Sequence, residues 1–211
     1  MKTIITCALF LSAFICAVLT PSPAIADPPP SVVGLLPAGA RIDPGTSDWM
    51  SMDTLIMGGV RASFPGTPRN CFRLNSELTL KLNGNSAFES LLDLVETMEQ
   101  ESLEQTEAGL RREAAQRTSP QGVGSLDVVS VGPVTEERLP NGILYAYEYT
   151  ENCANRANAT VGSLRGHARK GTTMLSFSLL MNTGLADGRA KAIEIFDRFE
   201  KFDPEAAARG Q

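Results

Sequence analysis

The chain has 211 residues, 43% of them hydrophobic, which suits one domain with a real core or at most one domain plus a small excursion. Its 24 acidic side chains outnumber 19 basic ones, giving a net charge of −5. Such a balance argues against nucleic acid or anionic lipid as a general partner.

Residues 1–26 have the pattern of an export signal. Lys2 supplies a positive start, Ile4–Leu19 an apolar run, and Thr20-Pro21-Ser22-Pro23 breaks any helix. Ala24-Ile25-Ala26 is the small-x-small sequence that a signal peptidase accepts, so cleavage is expected after Ala26. The apolar run of about 16 residues is shorter than the roughly 20 that span a bilayer, which makes a retained anchor the weaker reading. Neither Cys7 nor Cys16 has a Leu three residues before it, which disfavours lipid attachment. Cleavage would remove Lys2 and no acid, leaving a more acidic product with no segment apolar enough to cross a membrane. The expected location is periplasmic or secreted.

Only Cys71 and Cys153 survive such cleavage. Two cysteines in an oxidising compartment most often pair, and a bond between them would close a loop worth roughly 4 kcal/mol of unfolded-chain entropy. The alternative is two unrelated buried thiols. A paired sulfur is neither a thiolate nucleophile nor a metal ligand.

Residues 27–50 read as an irregular leader, proline-rich at Asp27–Pro30 and rich in Gly and Pro from Ser31 to Trp49. Asp43, Asp48 and Asp53 recur every five residues but lack the alternating ligands and terminal Glu of a calcium loop, so they read as solvated acids. A single α+β domain is expected over 51–203. Met52–Phe64 looks like a hairpin turning at Gly58-Gly59. Phe72–Leu82 alternates, with Phe72, Leu74, Leu78, Leu80 and Leu82 on one face and charged or polar residues on the other.

Ser86-Ala87-Phe88-Glu89 is a capping box, and Phe88, Leu91, Leu92, Val95 and Met98 follow at helical spacing. Glu99–Arg117 is polar, with Glu107–Arg111 and Glu113–Arg117 pairs that support a solvated helix. Leu126–Leu139 holds strand material interrupted at Gly132-Pro133, and Asn141-Gly142 signals a hairpin into Ile143–Thr150. There Ile143, Tyr145, Tyr147 and Tyr149 share a face. Strands are expected over Asn158–Ala168 and Thr172–Met181, turning at Arg169-Lys170-Gly171. A helix from about Leu185 to Phe202 carries an apolar stripe, Asp203-Pro204 ends it, and 204–211 reads as a flexible tail.

The sum is an α+β fold: a mostly antiparallel sheet with two helices packed on one face. In element order it resembles the PsbP-like periplasmic and thylakoid-lumen proteins. That resemblance implies a fold and a compartment and carries no functional residues.

Catalytic constellations are scarce. His167 is the single histidine; Ser163 shares its strand face but stands roughly 13 Å away at about 3.3 Å per residue, too far for a direct nucleophile–base pair. One His and two paired Cys are too few for a zinc site, and no carboxylate pair stands out. No cofactor is called for. Arg165, His167, Arg169 and Lys170 form a basic cluster that suits either a solvated strand or an acidic partner. The row Tyr145, Tyr147, Tyr149 suits either sheet core or a partner surface. These residues favour an exported, non-enzymatic binding or accessory protein that contacts a protein of the cell envelope or a ligand. The alternatives are an inhibitor or immunity-type protein, or a small secreted hydrolase with a site near His167.

Overall fold

Alternation at every second residue builds most of this protein. The structure is a computed structural model that describes residues 27–52, 55–71, 73–84, 128–140, 142–153 and 157–209. Among these, nine strands form one antiparallel sheet: β1 (Arg41–Ile42), β2 (Asp48–Met52), β3 (Leu55–Phe64), β4 (Ser76–Gly84), β5 (Val128–Val131), β6 (Thr135–Leu139), β7 (Gly142–Glu151), β8 (Ala159–Lys170) and β9 (Thr173–Met181). The order across the sheet is β1-β3-β4-β9-β8-β7-β5, with β2 also pairing β3 and β6 also pairing β7. Three helices lie beside it: α1 (Pro30–Val33), α2 (Leu185–Glu200) and α3 (Pro204–Arg209).

The expected α+β sheet is therefore present. The helix read over 86–117 lies outside the described residues, so the helical cover described here is that of α1, α2 and α3.

In β4 and β9 every second residue is buried: Ser76, Leu78, Leu80 and Leu82 in one, Thr173, Leu175, Phe177, Leu179 and Met181 in the other. Their partners in β8 and β7 include Leu164, Ala168, Leu144 and Ala146. Onto this face α2 lays Ala192, Ile195, Phe196 and Phe199, the stripe that helical spacing predicts. Phe196 meets Phe177 edge to face, with ring centroids 5.2 Å apart. Truncating a wholly buried ring such as Phe199 would cost about 3–5 kcal/mol.

Residues 27–50 are more than an irregular leader. Val32, Leu35, Leu36 and Trp49 belong to the main core, and β1 and β2 extend the sheet. The segment is strapped to α2: Ala38 N donates to Glu194 Oε1 at 2.9 Å, Lys191 Nζ to the Ala38 carbonyl at 2.9 Å, and Arg198 Nη1 to the Gly34 carbonyl at 2.9 Å. Four scattered apolar residues carry no periodicity, so their burial shows only in the folded chain, where α1 packs against α3 and Trp49 sits on β2 beside β3. The tail also differs from its reading. Asp203 Oδ1 accepts from the amides of Glu205 and Ala206, capping α3, and Ala207 enters the core.

Several local readings move. Leu74 precedes β4 and is 61% exposed, so it does not share the core face with Leu78. Arg169 and Lys170 are still paired in β8, and the turn falls at Gly171 and Thr172. β6 and β7 pair as a hairpin with Leu139 opposite Gly142, while Asn141 lies outside the described residues.

Gly58-Gly59 is not a turn. Both residues sit inside β3, and the β2–β3 hairpin closes beyond Met52 and Leu55. Gly58 has φ +150°, and a Cβ there would overlap the Asp48 carbonyl on the adjacent strand. It is the residue that lets β2 approach with Trp49 turned into the core. Gly59 has ordinary φ, and a Cβ would make only van der Waals contact, 3.5 Å from the Leu80 carbonyl and from Lys81 Cγ. The two neighbours should respond oppositely to alanine. Gly59→Ala is expected to be neutral or stabilising by up to about 1 kcal/mol, whereas Gly58→Ala should cost more than about 2 kcal/mol. Urea unfolding midpoints of the two variants check this.

Candidate binding face

Because strand side chains alternate, the residues not facing α2 form a second sheet face. Two cross-strand rows traverse it. One runs Arg61, Thr79, Ser178, Arg165, Tyr145; its neighbour runs Gly59, Lys81, Ser176, His167, Ile143. Arg61, Lys81 and Arg165 are exposed, the hydroxyl residues and His167 are half-buried, and Ile143 and Tyr145 are buried.

The tyrosine row shares this face but divides in role. Tyr145 and Tyr149 are buried, while Tyr147 is half-buried with its ring 6.1 Å from that of Tyr149. Tyr149 has a structural task, its hydroxyl standing 3.1 Å from Arg73 Nη1. The basic cluster divides as well. Arg165 is exposed beside Tyr145, and Arg169 is exposed, its Nε donating to the Gly171 carbonyl at 3.1 Å. Lys170 lies on the opposite face, where Nζ donates to the carbonyls of Glu200 and Phe202 and ties β8 to the end of α2. His167 adds no charge at neutral pH: burial lowers its pKa below 6.5, and the nearby Arg165 charge lowers it further.

Three cations of this face differ from the rest in lacking a partner among the described residues; Arg138, opposite Ile143, pairs with Glu136, opposite Tyr145. On the α2 side, Arg189 pairs with Glu137, Arg198 with Glu194, and Lys170 and Lys191 reach carbonyls. Arg61, Lys81 and Arg165 make no side-chain hydrogen bond or ion pair among the described residues. Among the described residues, no group of three or more His, Cys, Asp or Glu is arranged to hold a metal ion.

At one end of this face the expected Cys71–Cys153 pair stands at disulfide distance, the Cα atoms 5.1 Å apart, beside an ion pair that the sequence reading did not find. In that ion pair Glu151, fully buried, accepts from Arg73 Nη1 at 3.2 Å, the same nitrogen that reaches Tyr149. Glu151 Oε2 has no hydrogen-bond partner among the described residues. Burial works against the Arg73 charge, but Tyr149, Glu151 and Glu77 outweigh it and leave the guanidinium more basic than usual. Burial pushes Tyr149 up to about 12, only partly offset by Arg73. A signal for this cluster was present: Arg73 and Glu151 each stand two residues from a cysteine and carry opposite charge.

Comparison with known protein families and with curated proteins matches the chain to none of them.

The cluster is structural, and its chemistry makes checkable demands. Arg73→Ala strands a buried carboxylate and should cost about 3–5 kcal/mol in urea unfolding. Folding raises the Tyr149 pKa above its ordinary 10.0, so the native state holds that proton more tightly. The resulting stabilisation of about 2–3 kcal/mol is complete below pH 10 and is lost as pH rises towards about 12. Phenolate absorbance should show Tyr149 titrating late, later still in Arg73→Ala and earlier in Glu151→Gln. His167 has the opposite sense: its lowered pKa gives a contribution present above pH 6.5 and lost as pH falls through the folded value. As the chain's single histidine, its imidazole NMR signal should titrate with a midpoint below 6.5.

Proposed function

We propose that this is an exported protein that works by binding, engaging a protein or ligand through the sheet face turned away from α2. The observation that carries this reading is the set of exposed cations Arg61, Lys81 and Arg165, unpaired among the described residues, on one face of an acidic chain. Arg189, Arg198, Lys170 and Lys191 beside α2, and Arg73 and Arg138 on this face, are committed to the fold, whereas these three are available to an acidic group from outside. Tyr147, half-buried beside Ser163, adds contact area with a polar tip. The Cys71–Cys153 pair is compatible with an oxidising compartment, and no described helix is long and apolar enough to cross a membrane.

The hydrolase alternative gains no support from the surroundings of His167. A neutral imidazole is a competent base, but the charged group acting on it is the cation Arg165, where a carboxylate would be needed to orient it. Ser163, on the same strand face, is buried opposite Tyr147.

Tagged protein incubated with periplasmic or secreted extract should retain a partner. Arg165→Glu combined with Tyr147→Ala should weaken that retention at least about tenfold, a loss of about 1.4 kcal/mol, without lowering the unfolding midpoint. Recovery of no specific partner, or undiminished capture by the double variant, would sink the binding reading.

A further inference from the structure

The β2–β3–β4 end of the same face holds a groove of about 480 Å³. It runs along β3, whose Met57, Gly59 and Arg61 point into it in succession over about 13 Å, the length of four extended residues. Met50 pairs with Met57 at one end, and Arg61 stands at the other beside Thr79. Between them the floor drops at Gly59, flanked by Lys81 on β4 and Asp48 on β2. Met50 is 52% exposed, an unusual position for a large apolar side chain.

The low floor is not required by the fold. Gly59 has ordinary φ, and a Cβ would meet nothing closer than 3.5 Å. A glycine inside a strand loses side-chain packing and backbone entropy, and where the backbone does not need it, it marks close approach by another group. Here the open side is the groove itself.

We propose that this groove binds an extended, acidic polypeptide segment bearing an apolar side chain. The chain would lie along β3 with its backbone over Gly59, its apolar residue on Met50 and Met57, and its carboxylates on Lys81 and Arg61. Thioethers adapt to varied apolar shapes, and both cations are free among the described residues. Asp48 repels acid from the β2 rim, so carboxylates are directed to the β4 side. Among the described residues no aromatic ring lines the groove, so they offer no stacking platform for a sugar or a base. This proposal rests on reading the sheet face as a binding surface, but it concerns a different end of that face and a defined ligand chemistry.

The test uses the signal-cleaved protein and a fluorescein-labelled peptide alternating Glu and Leu, with Lys/Leu and Glu/Ser peptides as controls, read by fluorescence anisotropy. The Glu/Leu peptide should bind, and both controls should bind at least about tenfold more weakly. Gly59→Val, which fills the floor, and Lys81→Glu, an exposed charge reversal, should each weaken binding by about tenfold or more. Lys201→Glu, an exposed charge reversal at the end of α2 on the opposite side of the sheet, should leave it within about twofold. Lys81→Glu serves as the decisive variant if Gly59→Val fails to fold. Absence of Glu/Leu binding, equal binding of the Glu/Ser peptide, or binding undiminished in Lys81→Glu would overturn the proposal. So would displacement of the peptide by a sulfated polysaccharide but not by unlabelled Glu/Leu peptide. Loss of binding in Arg165→Glu alone would place the ligand at the other end of the face, overturning the groove while leaving the broader binding reading intact.

Discussion

The ladder between β4 and β9 is the contact on which the rest of the structure depends. It pairs Glu77 through Gly84 with Leu180 back to Thr173, and it joins two otherwise separate meanders, β1–β4 and β5–β9. Because side chains alternate with a period of two, this one register decides which face of both meanders is apolar. A slip of one residue would turn Leu78, Leu80 and Leu82 away from α2 and set charged or polar residues against it. The register is pinned at one end by side chains: Ser76 Oγ accepts from the Asn182 amide at 2.9 Å, and Asn182 Nδ2 donates to the Pro68 carbonyl at 2.9 Å.

The disulfide and the buried ion pair act on the same junction. Cys71 and Arg73 lie in the approach to β4, while Glu151 and Cys153 lie at the end of β7. A cross-link spanning 82 residues removes about 4–5 kcal/mol of unfolded-chain freedom in the entropy model. The ion pair contributes differently. A carboxylate with one oxygen unpartnered among the described residues is expensive in any arrangement that loses Arg73, so it penalises mispairing more than it rewards the native state.

How far the sequence disclosed this depends on whether a residue's role is local. The strands β7, β8 and β9 and the helix α2 were legible because alternation and 3.6-residue spacing are themselves the cause of burial at Leu175, Leu179, Ile195 and Phe199. Val32 and Leu35 were not, since α1 packs against α3, which lies about 170 residues away in sequence. Gly58-Gly59 was misread because a glycine pair marks a turn or a close approach equally well, and only the neighbouring strand decides between them. The basic cluster divided for a simple reason: Lys170 is one residue out of phase with Arg165 and Arg169, and a strand sends it to the other face. Arg61 and Lys81, more than eighty residues before that cluster, join its face only through the register of four strands.

That gathering of cations has an electrostatic consequence peculiar to an acidic protein. With a net charge of −5, the chain as a whole repels an acidic partner at long range. At physiological ionic strength the Debye length is about 8 Å, whereas Arg61 and Arg165 stand three strand spacings, about 14 Å, apart. Each cation therefore acts on what touches it and contributes little field at a distance. Recognition on this face would come from contact geometry, with cations at fixed strand positions and apolar surface between them, and not from steering. Added salt would then screen the long-range repulsion and the short-range attraction together, so affinity should depend only weakly on ionic strength, unlike that of a uniformly basic surface.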